Sequence, residues 1–321
     1  MSDQPTIEIT LDGAPRTIEA GITGALLLQD AVKKDGVVAM RVNGEPWDLE
    51  RQVPAGAVVE PITLASEDGL NILRHSATHV MAQAVQEMFP DVNLGIGPFI
   101  TDGFYYDFGA IDAVTPEMLR EIEKRMKRIV KEGQRFVRRD ITEAEGREEL
   151  ADQPYKLELI TTKGAGAEGA SVEVGAGGLT MYDNVRRDGS VAWTDLCRGP
   201  HLPSTRLIGQ GFALTKSSSA YWKGDQSGDS LQRIYGTAWA SKDDLKAYQT
   251  RLAEAAKRDH RKLGAELDLY SFPEEIGPGL VVFHPKGAML RHQIEQYVVE
   301  RHLDYGFDFV HTPEISKGGL F

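Results

Sequence analysis

Two four-residue spacings hold the side chains of greatest chemical interest in this sequence: His75 with His79, and Cys197 with His201. The first pair lies in a stretch with helical periodicity, so both imidazoles project from one helix face about one turn apart. The second pair sits on a turn set by Gly199-Pro200 between them. Together they gather the only cysteine and three of the eight histidines, a coincidence that points to one shared site. Three chemistries fit it. Imidazole and thiolate suit Zn²⁺ at tetrahedral geometry. A histidine can position or deprotonate water while donors steady a developing oxyanion. Cys197 can itself be a nucleophile activated by a histidine. Residue types alone do not choose among them.

The elements that must carry these residues follow from periodicity and capping. Residues 6–12 alternate, with Ile7, Ile9 and Leu11 on one face, before the turn Asp12-Gly13. A helix over 24–33, a strand over 37–42, the turn Asn43-Gly44 and an apolar run over 58–64 complete a ββαββ unit. Ser66-Glu67-Asp68 begins a helix to about residue 88, with Leu73, Ala77, Val80, Ala84 and Met88 three or four apart. Phe104-Tyr105-Tyr106 reads as a strand. Thr115-Pro116 opens another helix over an apolar face of Ile122, Met126, Ile129 and Val130. Thr142 and Glu145 form a capping box. This alternation implies an α+β domain over 65–240. Within it, the Gly- and Ala-rich stretch 163–178 reads as a surface insertion. The rival, a phosphate cradle, lacks a following Gly-Lys-Ser or Gly-Lys-Thr.

A charged helix from Ser241 to about Lys262, with Leu245, Tyr248, Leu252 and Ala255 inside, suits a connector. Beyond it come a strand near 281–283, a helix over 287–302 and the run 307–311. The expected division is 1–64, 65–240, 241–270 and 271–321.

Composition narrows the class. An apolar fraction of 41% and a charged fraction of 26% exclude wholesale disorder. One cysteine needs no oxidising compartment, and the sequence shows neither a signal peptide nor a membrane-length apolar run. A cytoplasmic location is the expectation. The net charge of −12 argues against a generic nucleic-acid binder. One segment runs the other way: residues 119–140 hold nine basic side chains against four acidic ones, either a solvated helix face or an RNA-facing stripe.

Several motifs, in order, resemble the editing domain of bacterial threonyl-tRNA synthetases. They are Arg74-His75-Ser76-Ala77-Thr78-His79, Gly97-Pro98 with Gly103-Phe104-Tyr105-Tyr106-Asp107, Pro154-Tyr155-Lys156, and Asp195-Leu196-Cys197-Arg198-Gly199-Pro200-His201. Further matches are Ala220-Tyr221-Trp222-Lys223-Gly224-Asp225, the run Leu231 to Trp239, and the linker-helix run Glu254 to Lys262. Alanyl-tRNA synthetases share the His and Cys/His spacings, and some of their relatives bind zinc there; the Tyr-Trp-Lys-Gly-Asp and Gln-Arg-Ile-Tyr-Gly-Thr runs favour the threonyl family. Residues 1–64 resemble the ubiquitin-like TGS domain, and Gly306 to Pro313 resembles the first motif of class II synthetases.

The resemblance implies an α+β chain: a β-grasp domain, an editing domain, a helical linker and the start of a class II antiparallel-sheet domain. It implies hydrolysis of tRNA mischarged with serine, with tRNA as partner and no membrane. His75 would position or activate water, Lys156 would place the ester and stabilise charge, and Asp195 would orient groups or relay a proton. Tyr106 and Arg198 would bind substrate, while His79, Cys197 and His201 would shape the site. Editing would use no metal or other cofactor. ATP, Mg and Zn would serve only the remaining catalytic domain, whose later motifs lie beyond Phe321, so threonine activation is not expected from this chain. The parent enzyme would be a homodimer through the class II domain, with this portion a monomer.

Overall fold

The computed structural model describes residues 5–162 and 178–313. The chain is α+β and divides into two compact units, residues 1–247 and 248–321. The stretch 163–178 lies, but for Gly178, outside the described residues.

The first unit opens with a five-stranded sheet. Strands β1 (Thr6–Leu11) and β2 (Ala14–Glu19) form the expected hairpin through Asp12-Gly13, followed by short helices α1 (Gly24–Leu27) and α2 (Gln29–Lys34). Strands β3 (Val37–Val42), β4 (Glu45–Trp47) and β5 (Val58–Thr63) complete the order β2-β1-β5-β3-β4, with β1 and β5 parallel. The short β4 was not expected from the sequence, because three residues containing a proline carry no alternation signal.

Strand β3 is apolar without alternation from Val37 to Met40 because this strand, unlike its neighbours, is buried on both faces there. Val37, Met40 and Val42 pack within this module, while Val38 and Ala39, past an irregularity in register, join Ile62 in the core around the next helix.

That helix is α3 (Glu67–Met88), capped by Ser66, whose side chain accepts from the Gly69 amide. From Ile72 to Val85 every residue is buried, so α3 is an internal axis rather than an amphipathic surface helix. Two sheets surround it. One combines β6 (Asn93–Leu94), β7 (Phe99–Ile100), β8 (Gly103–Gly109), β12 (Phe212–Tyr221) and β13 (Ser230–Ala238). The other has the order β11 (Val191–Leu196), β10 (Leu179–Val185), β9 (Arg135–Ile141). Helices α4 (Pro116–Glu132), α5 (Glu143–Glu149) and α6 (Pro154–Thr162) complete the unit, with the Thr115 cap and the Thr142/Glu145 capping box both formed.

The basic stretch 119–140 is largely neutralised by nearby carboxylates. Lys127 pairs with Glu123, Arg120 with Glu117, Arg125 and Arg128 with Glu87, and Arg139 with Asp183 and Glu149. Exposed pairs of this kind contribute little individually to stability.

In the remainder, the single charged helix expected from Ser241 to Lys262 is broken. Helix α7 (Lys242–Lys257) ends, and Asp259 caps a new α8 (His260–Glu266) by accepting from the Arg261 amide. Leu245 is buried, but Leu252 is exposed, so the proposed inner stripe does not persist. In the second unit β14 (Tyr270–Ser271) pairs with β15 (Val282–Phe283), and α9 (Pro285–Asp304) follows. The run 307–311 forms no strand.

Gly69 marks how closely α3 meets the N-terminal sheet. A Cβ there would lie 2.0 Å from the Thr63 carbonyl oxygen and 2.9 Å from Leu64 backbone atoms, neither of which can rotate away. Gly69→Ala should therefore destabilise the protein by about 1–3 kcal/mol despite alanine's better helix propensity. An unchanged urea midpoint would show that the contact yields freely.

Candidate active site

Helix α3 presents His75 and His79 one turn apart, with ring centroids 5.4 Å apart. Just beyond β11, Cys197 through His201 turns back against that face. The turn depends on Gly199, whose φ is +68° and whose hypothetical Cβ would lie 1.9 Å from the Tyr182 Oη. The two pairs thus meet, although 122 residues separate His75 from Cys197.

Cys197 Sγ lies 3.2 Å from His75 Nε2 and 3.4 Å from His201 Nε2. The His201 ring centroid is 4.4 Å from that of His75 and 4.1 Å from that of His79. His201 Nδ1 is 3.1 Å from Ser76 Oγ, which accepts the Leu202 amide at 3.0 Å. His75 is hydrogen-bonded to the Pro200 backbone, whose only capacity is the carbonyl acceptor.

The four residues are buried, and their donor atoms lie within 4.8 Å of one another. The set suits a zinc-type ion in ligand chemistry. Among the described residues His79 Nδ1 has no hydrogen-bond partner, a buried orphan of the kind that ligation or water relieves.

Beside this cluster stands a second group. Lys156, carried near the start of α6, is fully buried, and its Nζ lies 2.9 Å from Asp195 Oδ1. A lysine following Pro154-Tyr155 would ordinarily reach solvent, but this one is enclosed on all sides. Asp195 also accepts from the Leu196 amide at 2.8 Å and from Tyr106 Oη at 2.6 Å. Tyr106 therefore anchors Asp195 as well as contributing its ring. Helix α6 is tied to the hairpin of β12 and β13: Trp222 Nε1 donates to Glu158 at 2.9 Å, and Tyr155 Oη to Asp229 at 3.0 Å. Arg233 and Asp107, directly opposite on β13 and β8, form a bidentate pair at 2.6 and 2.8 Å.

Electrostatics follow from burial. Desolvation lowers His75 to about 4, with Lys156 acting in the same sense against the bond to Pro200. His79 and His201 are driven well below their ordinary value, again by desolvation, then by repulsion from neighbouring imidazoles. Burial raises the Asp195 carboxyl, opposed by the Lys156 ammonium and by hydrogen bonds from Tyr106, Lys156 and Leu196.

A cavity of about 520 Å³ opens beside His75, lined also by Phe99, Arg198, Gly199 and Pro200, with Trp47, Asp48 and Arg51 from the N-terminal module. Arg198 is exposed on this cavity wall. The structure thus brings together His75, His79, Cys197 and His201, joins Lys156, Asp195 and Tyr106, and sets Arg198 at the mouth. Sequence reading missed Asp48, Tyr182 and Ser76. Ser76 lay inside a quoted motif, but no local spacing marks Asp48 or Tyr182.

Residues 178–235 match the family described as threonyl and alanyl tRNA synthetase second additional domain. A threonine-tRNA ligase of Cutibacterium acnes is 70% identical over 319 residues, which are 98% of this chain and 46% of that protein. The chain belongs with the threonine-tRNA ligases. Ligases of Pseudarthrobacter chlorophenolicus and Micrococcus luteus are 56% and 57% identical over 325 residues, each match taking in 100% of this chain and 48% of the relative. The chain spans about half the length of the ligase relatives it matches. Among the described residues no helix is long and apolar enough to cross a membrane.

Three histidines buried neutral carry a consequence for stability. Their folded values lie below 6.5, so between pH 6.5 and about 4 the unfolded chain binds protons that the native state refuses. This stability is fully present above pH 6.5 and is lost as pH falls toward 4, by about 1.4 kcal/mol per pH unit for each histidine at most. The raised carboxyls of Asp48 and Asp195 act in the opposite sense above 3.8, so the observed slope will be smaller than the histidine sum. Urea denaturation from pH 7 to 5 should show falling stability, and a flat profile would contradict neutral burial.

Proposed function

We propose that this chain carries the editing portion of a threonine-tRNA ligase, hydrolysing serine from tRNA for threonine. The carrying observation is the buried cluster of His75, His79, Cys197 and His201, which reaches the cavity through His75, with the buried Lys156–Asp195 pair close enough for its charge to act on His75 and His79. On this reading residues 1–64 form the TGS domain, 65–240 the editing domain, 241–270 the linker and 271–321 the opening of the class II domain. Ligation with ATP and Mg, threonine recognition through Zn, dimerisation and a cytoplasmic location are ascribed to the full-length enzyme.

Serine and threonine differ by one methyl, and a pocket selecting on one such group gains only about 1–3 kcal/mol, which makes a second, hydrolytic selection useful. The substrate is an aminoacyl ester, already activated, so oriented water and charge stabilisation suffice without a covalent intermediate. His75, neutral at pH 7, takes the proton of the attacking water and returns it to the ribose oxygen as the acyl C–O bond breaks. Lys156, oriented by Asp195 and Tyr106, steadies the developing oxyanion, and Asp195 orients or relays the proton. His79, Cys197 and His201 shape the floor, while Arg198 at the mouth binds the RNA end.

A second reading is favoured by the four donor atoms within 4.8 Å: a zinc-type ion held by the tetrad. Such an ion would acidify bound water. Metal analysis of purified protein separates the two: stoichiometric zinc, with activity lost to a chelator and restored by the metal, establishes the second reading.

Seryl-tRNA should be deacylated about tenfold or more faster than threonyl-tRNA, a ratio within the reach of one methyl. Equal rates would sink the selectivity. His75→Ala should lose about a hundredfold or more as a missing general base, whereas Cys197→Ser should retain measurable activity. Rapid quenching with labelled serine should find none bound to protein; a thioester at Cys197 formed and consumed at the turnover rate would make Cys197 the nucleophile.

A further inference from the structure

One carboxylate of the N-terminal module bonds directly to the site's own elements. Asp48, just after β4, is buried, accepting the Tyr182 hydroxyl on Oδ2 at 2.6 Å and the His201 amide on Oδ1 at 2.9 Å. Both partners belong to the site's architecture. His201 is a member of the tetrad, and the Tyr182 ring stands edge-on to it with centroids 4.6 Å apart. The Tyr182 hydroxyl also occupies the space above Gly199 that any larger residue would claim. Asp48 thus grips the Cys197-to-His201 turn twice: at the His201 peptide, and through the phenol that packs on Gly199 and on the His201 ring.

Docking of the module does not require this bond. Val38, Ala39 and Ile62 already join the core around α3, and β5 meets α3 at Gly69. A buried carboxylate is costly unless its lone pairs are satisfied, and here they are satisfied by site elements. Arg51 and Arg138 add favourable charge from either side. Trp47, Asp48 and Arg51 also wall the cavity that His75 and Arg198 line.

We propose that Asp48 is a positioning residue for the editing reaction. It sets the Cys197-to-His201 turn against α3, so the N-terminal module is a working part of the hydrolytic site rather than an appended domain. The kinetic arm of the test rests on the proposed deacylase function; the exchange arm does not.

In the whole chain, Asp48→Ala should lower kcat for seryl-tRNA about tenfold or more while KM stays within about twofold, because geometry at the reacting centre is lost and substrate contacts remain. Asp48→Asn, which keeps one acceptor, should recover part of that loss. Adding Tyr182→Phe to Asp48→Ala should cost little more than Asp48→Ala alone, the signature of residues acting as one unit. Amide exchange in a peptide spanning 199–203 should accelerate about tenfold or more in Asp48→Ala, with protection in α3 preserved. If Asp48→Ala does not fold, Asp48→Asn and Tyr182→Phe carry both arms. An unchanged kcat in a folded variant, or a loss that follows only the folded fraction or KM, overturns the proposal. Should the unaltered chain show no deacylation, the functional reading fails by itself, and unchanged exchange at His201 would then overturn the positioning role separately.

Discussion

The contact between α3 and the turn from Cys197 to His201 governs the arrangement of this molecule. Bringing a thiol within 3.2 Å of one imidazole, and a third imidazole within 4.1 Å of a second, requires the backbone of the turn to approach a helix already buried on all sides. Small residues make the approach possible: Gly199 leaves room for the Tyr182 hydroxyl, and Ser76, on the same helix as the histidines, takes the Leu202 amide. The two surrounding sheets and the N-terminal module exclude water from this contact. Desolvation is then what sets its chemistry, keeping three imidazoles neutral where free histidines would be partly charged.

The same burial explains the neighbouring group. An isolated lysine fully removed from water would lose its charge, but Asp195 at 2.9 Å, itself tied by Tyr106 and Leu196, supplies a partner. The result is a buried cation held close to three neutral imidazoles. Residues far from the chemistry serve this arm: Trp222 and Tyr155 tie α6 to the hairpin of β12 and β13, so motif positions that never face the cavity still decide where Lys156 points.

Much of this was legible in the sequence because the signals were local. The hairpin at Asp12-Gly13, the caps at Ser66 and Thr115, the capping box at Thr142 and Glu145 and the buried strand around Phe104 each depend on neighbours within a few residues. The His75/His79 and Cys197/His201 spacings were equally local, and the family resemblance linked them. The errors were local too. The continuous helix expected to Lys262 is interrupted where Asp259 caps a fresh start, and Leu252, read as an inner position, faces solvent because periodicity says which side is apolar but not whether anything covers it.

The sequence by itself determined which residue types are available, and through spacing it determined that His75 and His79 share a helix face and that Cys197 and His201 share a turn. Only the tertiary structure decided that the two pairs meet, that Lys156 lies inside rather than on the surface, and that Asp48 reaches across from another sheet to Tyr182 and His201. The physical reason is the same in each case. Period and capping are properties of consecutive residues. A hydrogen bond between positions 153 residues apart depends on how separate layers pack, and no local pattern encodes that distance.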